Sequence, residues 1–271
     1  QCALAELRKF FGNILAAYYA KNMGLPIGEL ICASNVNKVL TDFIHTGIYD
    51  RRREFVTTTS PSMDILISSN LERLLYYECG GDANYVRTLM RRLSYDGRYE
   101  IGTDMLYRMR ETFLAHCADD AATFAAIKRV YERFGYLMDP HTAVAWNAAE
   151  AVGGERPTVV LSTASPYKFA DDVLRAVTGE SAADGFLAME RLSGVSGTPV
   201  PQSLAELRRR SGESNSNPFS PAARASGKHR SARKCAGNRQ RRCSCARSQA
   251  KAVSKNSRRR VFCPVLFAQI L

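Results

Sequence analysis

Charge divides this chain into two parts that cannot fold by the same rules. Across 271 residues the formal net charge is +12, yet residues 1–210 hold 24 Lys and Arg against 25 Asp and Glu, whereas residues 211–271 hold 14 against Glu213 alone. Ten Ser and nine Ala fall among those basic residues without helical or alternating periodicity. Such a segment buries too little apolar surface to offset its ordering entropy, so disorder is expected over 211–271. A packed core has to come from the first 210 residues, enough for one large domain.

The basic tail suggests one class of function: a non-enzymatic binder of nucleic acid or another anionic surface through residues 211–271. Phe219, Phe262 and Phe267 are the only aromatic residues there, which serves base stacking poorly, so nucleic acid is not the expected partner. Cys235, Cys243, Cys245 and Cys263 lack the paired spacing of a zinc site, and no metal is expected. Cys2, Cys32, Cys79 and Cys117 are scattered and suit free thiols in a reducing compartment. No apolar run approaches the ~20 residues of a membrane span, so no membrane partner is expected. The chain opens Gln1-Cys2-Ala3-Leu4-Ala5-Glu6, without the layout of a secretory signal, which points to a cytoplasmic protein and to a fragment or processed chain.

Within the neutral part the pattern is helix, strand, helix. Residues 14–24 are rich in Ala and Leu and should form a helix stopped by Gly24 and Pro26. Leu30-Ile31-Cys32-Ala33 is an unbroken apolar run, as in a parallel strand covered on both faces. A polar loop, Ser34-Asn35-Val36-Asn37, leads to a helix through Phe43 that stops at Gly47. Further helices are expected over 63–78, 83–94 with Asp82 as cap, 103–117, 120–134 and, after Asp139-Pro140, 141–152. Residues 158–163 form a second buried strand, and Ser165-Pro166 opens a helix that ends at Gly179. The fold class is α/β: a partial open sheet with flanking helices, plus the disordered basic tail.

Ligands of open α/β sheets collect beyond the carboxyl ends of strands, often against a helix N-terminus. Three places fit: Gly12-Asn13 before the first helix, Asn35 to Asn37 after the first strand, and Ser162 to Ser165 after the second. Gly12 with Asn13 would let backbone N–H groups approach an anion. His141, in a first helical turn, suits packing or capping better than acid–base work. Arg51-Arg52-Arg53 suits a solvated turn.

Several blocks carry a family resemblance. They are Phe11-Gly12-Asn13-Ile14-Leu15-Ala16-Ala17-Tyr18-Tyr19-Ala20-Lys21 with Gly24-Leu25-Pro26; Ala33-Ser34-Asn35-Val36-Asn37; Phe43-Ile44-His45-Thr46-Gly47; Pro61-Ser62-Met63-Asp64-Ile65 with Ser68-Ser69-Asn70-Leu71-Glu72-Arg73-Leu74-Leu75; Asp139-Pro140-His141-Thr142-Ala143-Val144-Ala145; and Ser162-Thr163-Ala164-Ser165-Pro166-Tyr167-Lys168-Phe169. In this order they resemble the C-terminal half of threonine synthase, over about residues 11–210. The resemblance implies the tryptophan-synthase-β type (fold-type II) architecture, the cofactor pyridoxal 5'-phosphate, and conversion of O-phosphohomoserine and water to threonine and phosphate. It places Gly12 and Asn13 in the nest around the cofactor phosphate, Thr163 opposite the pyridine nitrogen, and Asn35 and Asn37 on the pocket floor.

The departures bear on activity. The family's cofactor-binding lysine belongs to the half that precedes residue 1, and no segment around Lys9, Lys21, Lys38, Lys128 or Lys168 resembles its motif. No catalytic residue is therefore assigned. Where the family reads Ser-Gly-Asn-Phe-Gly-Asn, this chain reads Arg8, Lys9, Phe10, Phe11, Gly12, Asn13. Losing about two charge-assisted hydrogen bonds would cost ~3–6 kcal/mol of cofactor affinity. Residues 1–10 read as an aberrant junction and 211–271 as the product of a shifted reading frame. The expectation is an incomplete synthase, inactive alone.

Overall fold

The computed structural model describes residues 2–6, 12–153, 157–213 and 265–269. They fall into two compact units, residues 1–200 with 257–271, and residues 201–256. Arg8, Lys9, Phe10, Phe11 and the four tail cysteines lie outside the described residues.

In the first unit a five-stranded, all-parallel sheet carries the architecture. Its strands are β1 (Cys2–Glu6), β2 (Ile27–Ser34), β5 (Phe113–Cys117), β6 (Thr158–Ser162) and β7 (Val265–Gln269), in the order β5-β2-β1-β6-β7. β2 is the strand legible in the sequence: Ile27, Leu30, Ile31, Cys32 and Ala33 are all buried, as a strand with paired neighbours and both faces covered requires. Parallel neighbours need a crossover, and α1 (Gly12–Asn22) supplies it between β1 and β2, ending short of Gly24, whose φ is +101°. α2 (Val39–Thr46) follows β2 and closes on Gly47 in the left-handed conformation.

A small antiparallel ribbon, β3 (Ile48–Asp50) with β4 (Arg98–Glu100), sets Tyr49 directly opposite Tyr99. Their rings stack with centroids 5.2 Å apart, and Phe43 of α2 meets both edge-on at 5.8 Å. Phe43 is fully buried in this core, so Phe43→Ala is expected to cost ~3–5 kcal/mol, measured as a lower denaturation midpoint. Burial pushes the Tyr49 hydroxyl up to about 12.

Aspartates punctuate the helices. Asp82 caps α4 (Ala83–Tyr95), Asp119 caps α6 (Asp120–Phe134), Asp139 caps α7 (Pro140–Val152) and Asp184 caps α9 (Gly185–Ser196), each accepting backbone N–H groups of the first turn. α8 (Ala170–Thr178) follows a 3-10 turn at Pro166–Phe169 and stops at Gly179. The helix expected over 63–78 begins later: Pro61–Met63 is a 3-10 turn, and α3 spans Ser69–Glu78.

Three expectations need correction. The helix expected over 103–117 is α5 (Thr103–Thr112) running straight into β5, because Phe113 to Cys117 pair with Leu30 to Ser34 of β2. Residues 2–6, assigned to an aberrant junction, form the central strand between β2 and β6. The tail assigned to disorder contributes β7, which completes the ladder beside β6, and the last residues of α10 (Gln202–Glu213). Within the second unit α10 starts after Pro201, with Gln202 bonded to Glu206 one turn on. No helix among the described residues is long and apolar enough to cross a membrane. Among those residues no cluster of His, Cys, Asp and Glu could hold a metal, and Cys79 and Cys117 are free thiols.

Candidate functional site at the carboxyl edge of the sheet

Because the strands are parallel, their carboxyl ends share one edge. Ala5 of β1 stands opposite both Ile31 of β2 and Val160 of β6. Ser34 and Thr163, each three residues further on, are therefore level, two strand spacings or ~10 Å apart. After β1 the next described element in sequence is α1, which starts at Gly12. The register brings Ser34 and Thr163, with Asn35 and Asn37 just beyond Ser34, to one edge.

They are not used alike. Asn35 and Asn37 are buried, and their amides are fully engaged, all but the Asn35 carbonyl with the loop over residues 56–64. Asn35 Nδ2 reaches Thr58 Oγ1 at 2.8 Å, Ser60 Oγ at 3.0 Å and Asp64 Oδ1 at 2.7 Å, while its Oδ1 accepts the Asn37 N–H at 3.0 Å. Asn37 Nδ2 donates to the Val56 carbonyl at 2.7 Å and to Asp64 at 3.1 Å, and its Oδ1 accepts the Val56 N–H at 3.0 Å. Asp64 closes the network by accepting the Thr58 N–H and hydroxyl. Both asparagines fasten a loop. Asn37 also borders a small hollow with Ala33, Ser34, Tyr49 and Met63.

Two more elements hold the same loop. Asp120 at the start of α6 accepts the Thr59 hydroxyl at 2.9 Å. His141 Nε2 accepts the Ser62 N–H at 3.2 Å, and its Nδ1 lies 2.9 Å from Asp139. A ring nitrogen that accepts carries no proton, so with Nε2 accepting it is Nδ1 that donates to Asp139. The ring rests on Phe169, centroids 4.7 Å apart. With both nitrogens engaged, His141 packs and positions. The Thr142 hydroxyl bonds Asp139 and lies 3.2 Å from Ser162 Oγ, beside Thr163. Tyr136 bonds Ser162 as well, and burial, more than the nearby Asp139, raises its pKa.

Gly12, Asn13 and Thr163 are only half-buried, and the Asn13 and Thr163 side chains make no hydrogen bond to another described residue. These three retain the capacity for a ligand. A Cβ at position 12 would lie 3.3 Å from Asn70 Nδ2, so that amide would have to give by a few tenths of an ångström. The three arginines are occupied. Arg52 grips Asp50 through two nitrogens and holds its carboxyl at about 2, Arg53 meets Asp42 at 2.7 Å, and Arg51 donates to the Ser94 carbonyl.

Sequence reasoning did not find the fastening of residues 56–64. Asp64, Ser62 and His141 all sat in quoted blocks, but a bond from a backbone N–H to a ring 79 residues away leaves no local pattern.

A parallel sheet with a glycine-led helix mouth and a free hydroxyl at the tip of a nearby strand has the layout of an α/β phosphate-ester site. The solved structures it resembles are of the fold-type II pyridoxal-phosphate class. One is the pyridoxal-phosphate-bound threonine synthase of Brucella melitensis, with a TM-score of 0.64 and 41% identity, covering 69% of this chain and 40% of that one. Another is the yeast threonine synthase, with a TM-score of 0.62 and 32% identity, covering 79% and 47%. A family model described as threonine synthase, C-terminal, matches residues 142–217. The human protein named Threonine synthase-like 1 is 45% identical over 169 residues, which is 62% of this chain and 23% of that protein. Threonine synthase of Pseudomonas aeruginosa is 37% identical over 206 residues, 73% of this chain and 43% of the relative. The chain is thus similar to the C-terminal part of threonine synthases and spans less than half the length of each of these relatives.

Proposed function

We propose that this chain supplies the rear part of a threonine-synthase site, holding pyridoxal phosphate at the carboxyl edge of the sheet and serving conversion of O-phosphohomoserine to threonine and phosphate. The observation that supports this is the level register of Ser34 and Thr163 on either side of β1, the strand that α1 follows in sequence. The residues suit the cofactor. Gly12 and Asn13 offer backbone N–H groups at the positive end of a helix, which favours a phosphate ester. Thr163 would offer a neutral hydroxyl to the ring nitrogen, leaving it less protonated than a carboxylate partner would.

When bound, pyridoxal phosphate supplies an electron sink for negative charge developing beside the substrate amine. The chain's own work is to hold and shield. Asn35, Asn37, Asp64, Asp120 and His141 fix residues 56–64 in place across the strand tips, excluding water and setting the wall of the pocket. By sequence these 271 residues contain no segment resembling the family's lysine motif, so turnover is expected to need a lysine from outside them. The alternative of a basic surface-binding tail falls on residues outside the described ones, apart from residues 211–213 and β7, and the matched relatives give it no support.

The test is titration of the full chain with pyridoxal phosphate followed by borohydride reduction and peptide mapping. Reversible binding without one selectively labelled lysine is expected. Complete absence of binding would overturn the reading, and a single stoichiometric adduct would overturn the need for an outside lysine.

A further inference from the structure

Residues 51–60 run from β3 to the 3-10 turn at Pro61–Met63 without regular secondary structure. Among the described residues, the backbone-to-backbone hydrogen bonds of 56–64 stay local, from Met63 to Ser60, from Asp64 to Pro61 and from Ile65 to Met63. Among those residues the hydrogen bonds to the rest of the fold are made by the side chains of Asn35, Asn37, Asp120 and His141. A segment tied this way is a strap, and those few bonds set how readily it opens.

The His141 tie differs from the others in what a proton does to it. A backbone N–H can only donate, so the Ser62 contact at 3.2 Å requires a bare Nε2. A proton on that nitrogen sets two donors face to face and cancels the bond. The imidazolium so formed is not stranded, because Asp139 Oδ1, 2.9 Å from Nδ1, stays beside it whether the strap is closed or open. Asp139 is itself buried and held by the His141 N–H at 3.0 Å and the Thr142 hydroxyl. The ring face rests on Phe169, which carries no charge. The other titratable groups on the surrounding elements are Asp64 in the strap, Asp120 on α6, Lys168 in the turn at Pro166–Phe169 and Tyr136 ahead of α7. Among the described residues, the ion-pair partner of His141 is Asp139.

The closed strap therefore excludes a proton from Nε2 and the open strap admits one, so proton uptake and opening are linked and acid favours the open form. We infer that His141 is a proton-controlled latch on residues 56–64. This rests on the site reading above for what the strap covers, and adds regulation to that site. Imidazoles ordinarily change charge between about pH 5 and 8 and carboxylates in more acidic solution, which separates the latch from the carboxylate ties.

The test follows the full-length chain, without ligand, by amide hydrogen exchange corrected for the intrinsic effect of pH. From about pH 7.5 to about pH 5.5, protection of residues 56–64 should fall roughly 5–10-fold, the equivalent of one hydrogen bond, while that of β2 holds. His141→Gln keeps an acceptor in the place of Nε2 but does not titrate, so its protection should be the same at both. A measurement that needs no variant is the nuclear magnetic resonance titration of the parent chain, in which the Ser62 amide should move in step with the His141 ring. Protection indifferent to pH in the parent, an equal loss in His141→Gln, or a Ser62 amide that does not follow the ring would each overturn the latch. So would a loss that begins only in the carboxylate range, which would assign the release to Asp64 and Asp120. A strap that opens as expected on a chain that binds no pyridoxal phosphate would leave the latch standing and bring down the cofactor reading.

Discussion

Two strand tips at one edge use their polar groups in opposite ways. At the end of β2, Asn35 and Asn37 are buried and every amide atom is engaged, the Asn35 carbonyl with the Asn37 N–H and the others with residues 56–64. At the end of β6, Thr163 is half-buried with its hydroxyl unused among the described residues, as is the Asn13 amide at the mouth of α1. Saturation separates a residue that fastens a loop from one whose polar group is left available. Residue type alone does not: asparagine occurs on both sides of the division, as Asn13 does beside Asn35 and Asn37.

The contrast is sharpest at Asn35. Asn35→Ala would leave Asp64, Thr58 and Ser60 short of partners in a buried setting, at an expected cost of ~2–4 kcal/mol. For a domain of this size that lowers the melting temperature by ~5–12 °C in a calorimetric scan. Next comes His141→Ala, which frees the Ser62 N–H and removes the proton donor to Asp139, at ~1–3 kcal/mol. His141→Gln should recover part of it if the role is to position the loop. Thr163→Val, by contrast, should move the melting temperature by no more than ~1–2 °C, since surface-lying polar groups without partners contribute ~0.5 kcal/mol or less. A large loss of stability there would erase the distinction.

Titration sharpens the comparison between buried and open polar groups. Tyr49 has its pKa raised to about 12, mainly by burial, so the folded state holds its proton more tightly than the unfolded one. Its contribution is complete below the ordinary tyrosine value near 10 and is lost as pH rises from there toward 12. Absorbance at alkaline pH should show a tyrosine that ionises only as the protein unfolds, and Tyr49→Phe should flatten that dependence. Asp50 is the opposite case. Its carboxyl is held at about 2, first by the Arg52 hydrogen bond, so its contribution is present above the ordinary aspartate range and lost as pH falls through 2. The pair lies on the surface, so Arg52→Ala should shift the Asp50 carboxyl signal toward its ordinary value with almost no effect on melting.

Legibility in the sequence followed locality. The run Leu30-Ile31-Cys32-Ala33 announced β2, and the Asp and Gly residues flanking α4, α6, α7 and α8 announced their ends, because both signals lie within a few residues. β5 was hidden since Phe113 to Cys117 continue directly from α5 without Gly or Pro, and only pairing with β2 makes them a strand. β7 was hidden by its setting in a basic, low-complexity stretch. The blocks included these stretches but could not say that Asn35 and Asn37 fasten a loop while the Asn13 and Thr163 side chains stay unengaged among the described residues. That depends on which partners the register and the loop over 56–64 bring into reach.

The central claim is that the mouth of α1 and the tip of β6 hold one cofactor between them. The most direct measurement is the pyridoxal phosphate dissociation constant of the full chain beside Gly12→Ala and Thr163→Val, with melting curves run in parallel. Each substitution is predicted to weaken binding about 10-fold or more while leaving the melting temperature nearly unchanged. Affinity that is indifferent to both changes, or a parent chain that does not bind pyridoxal phosphate, would contradict it.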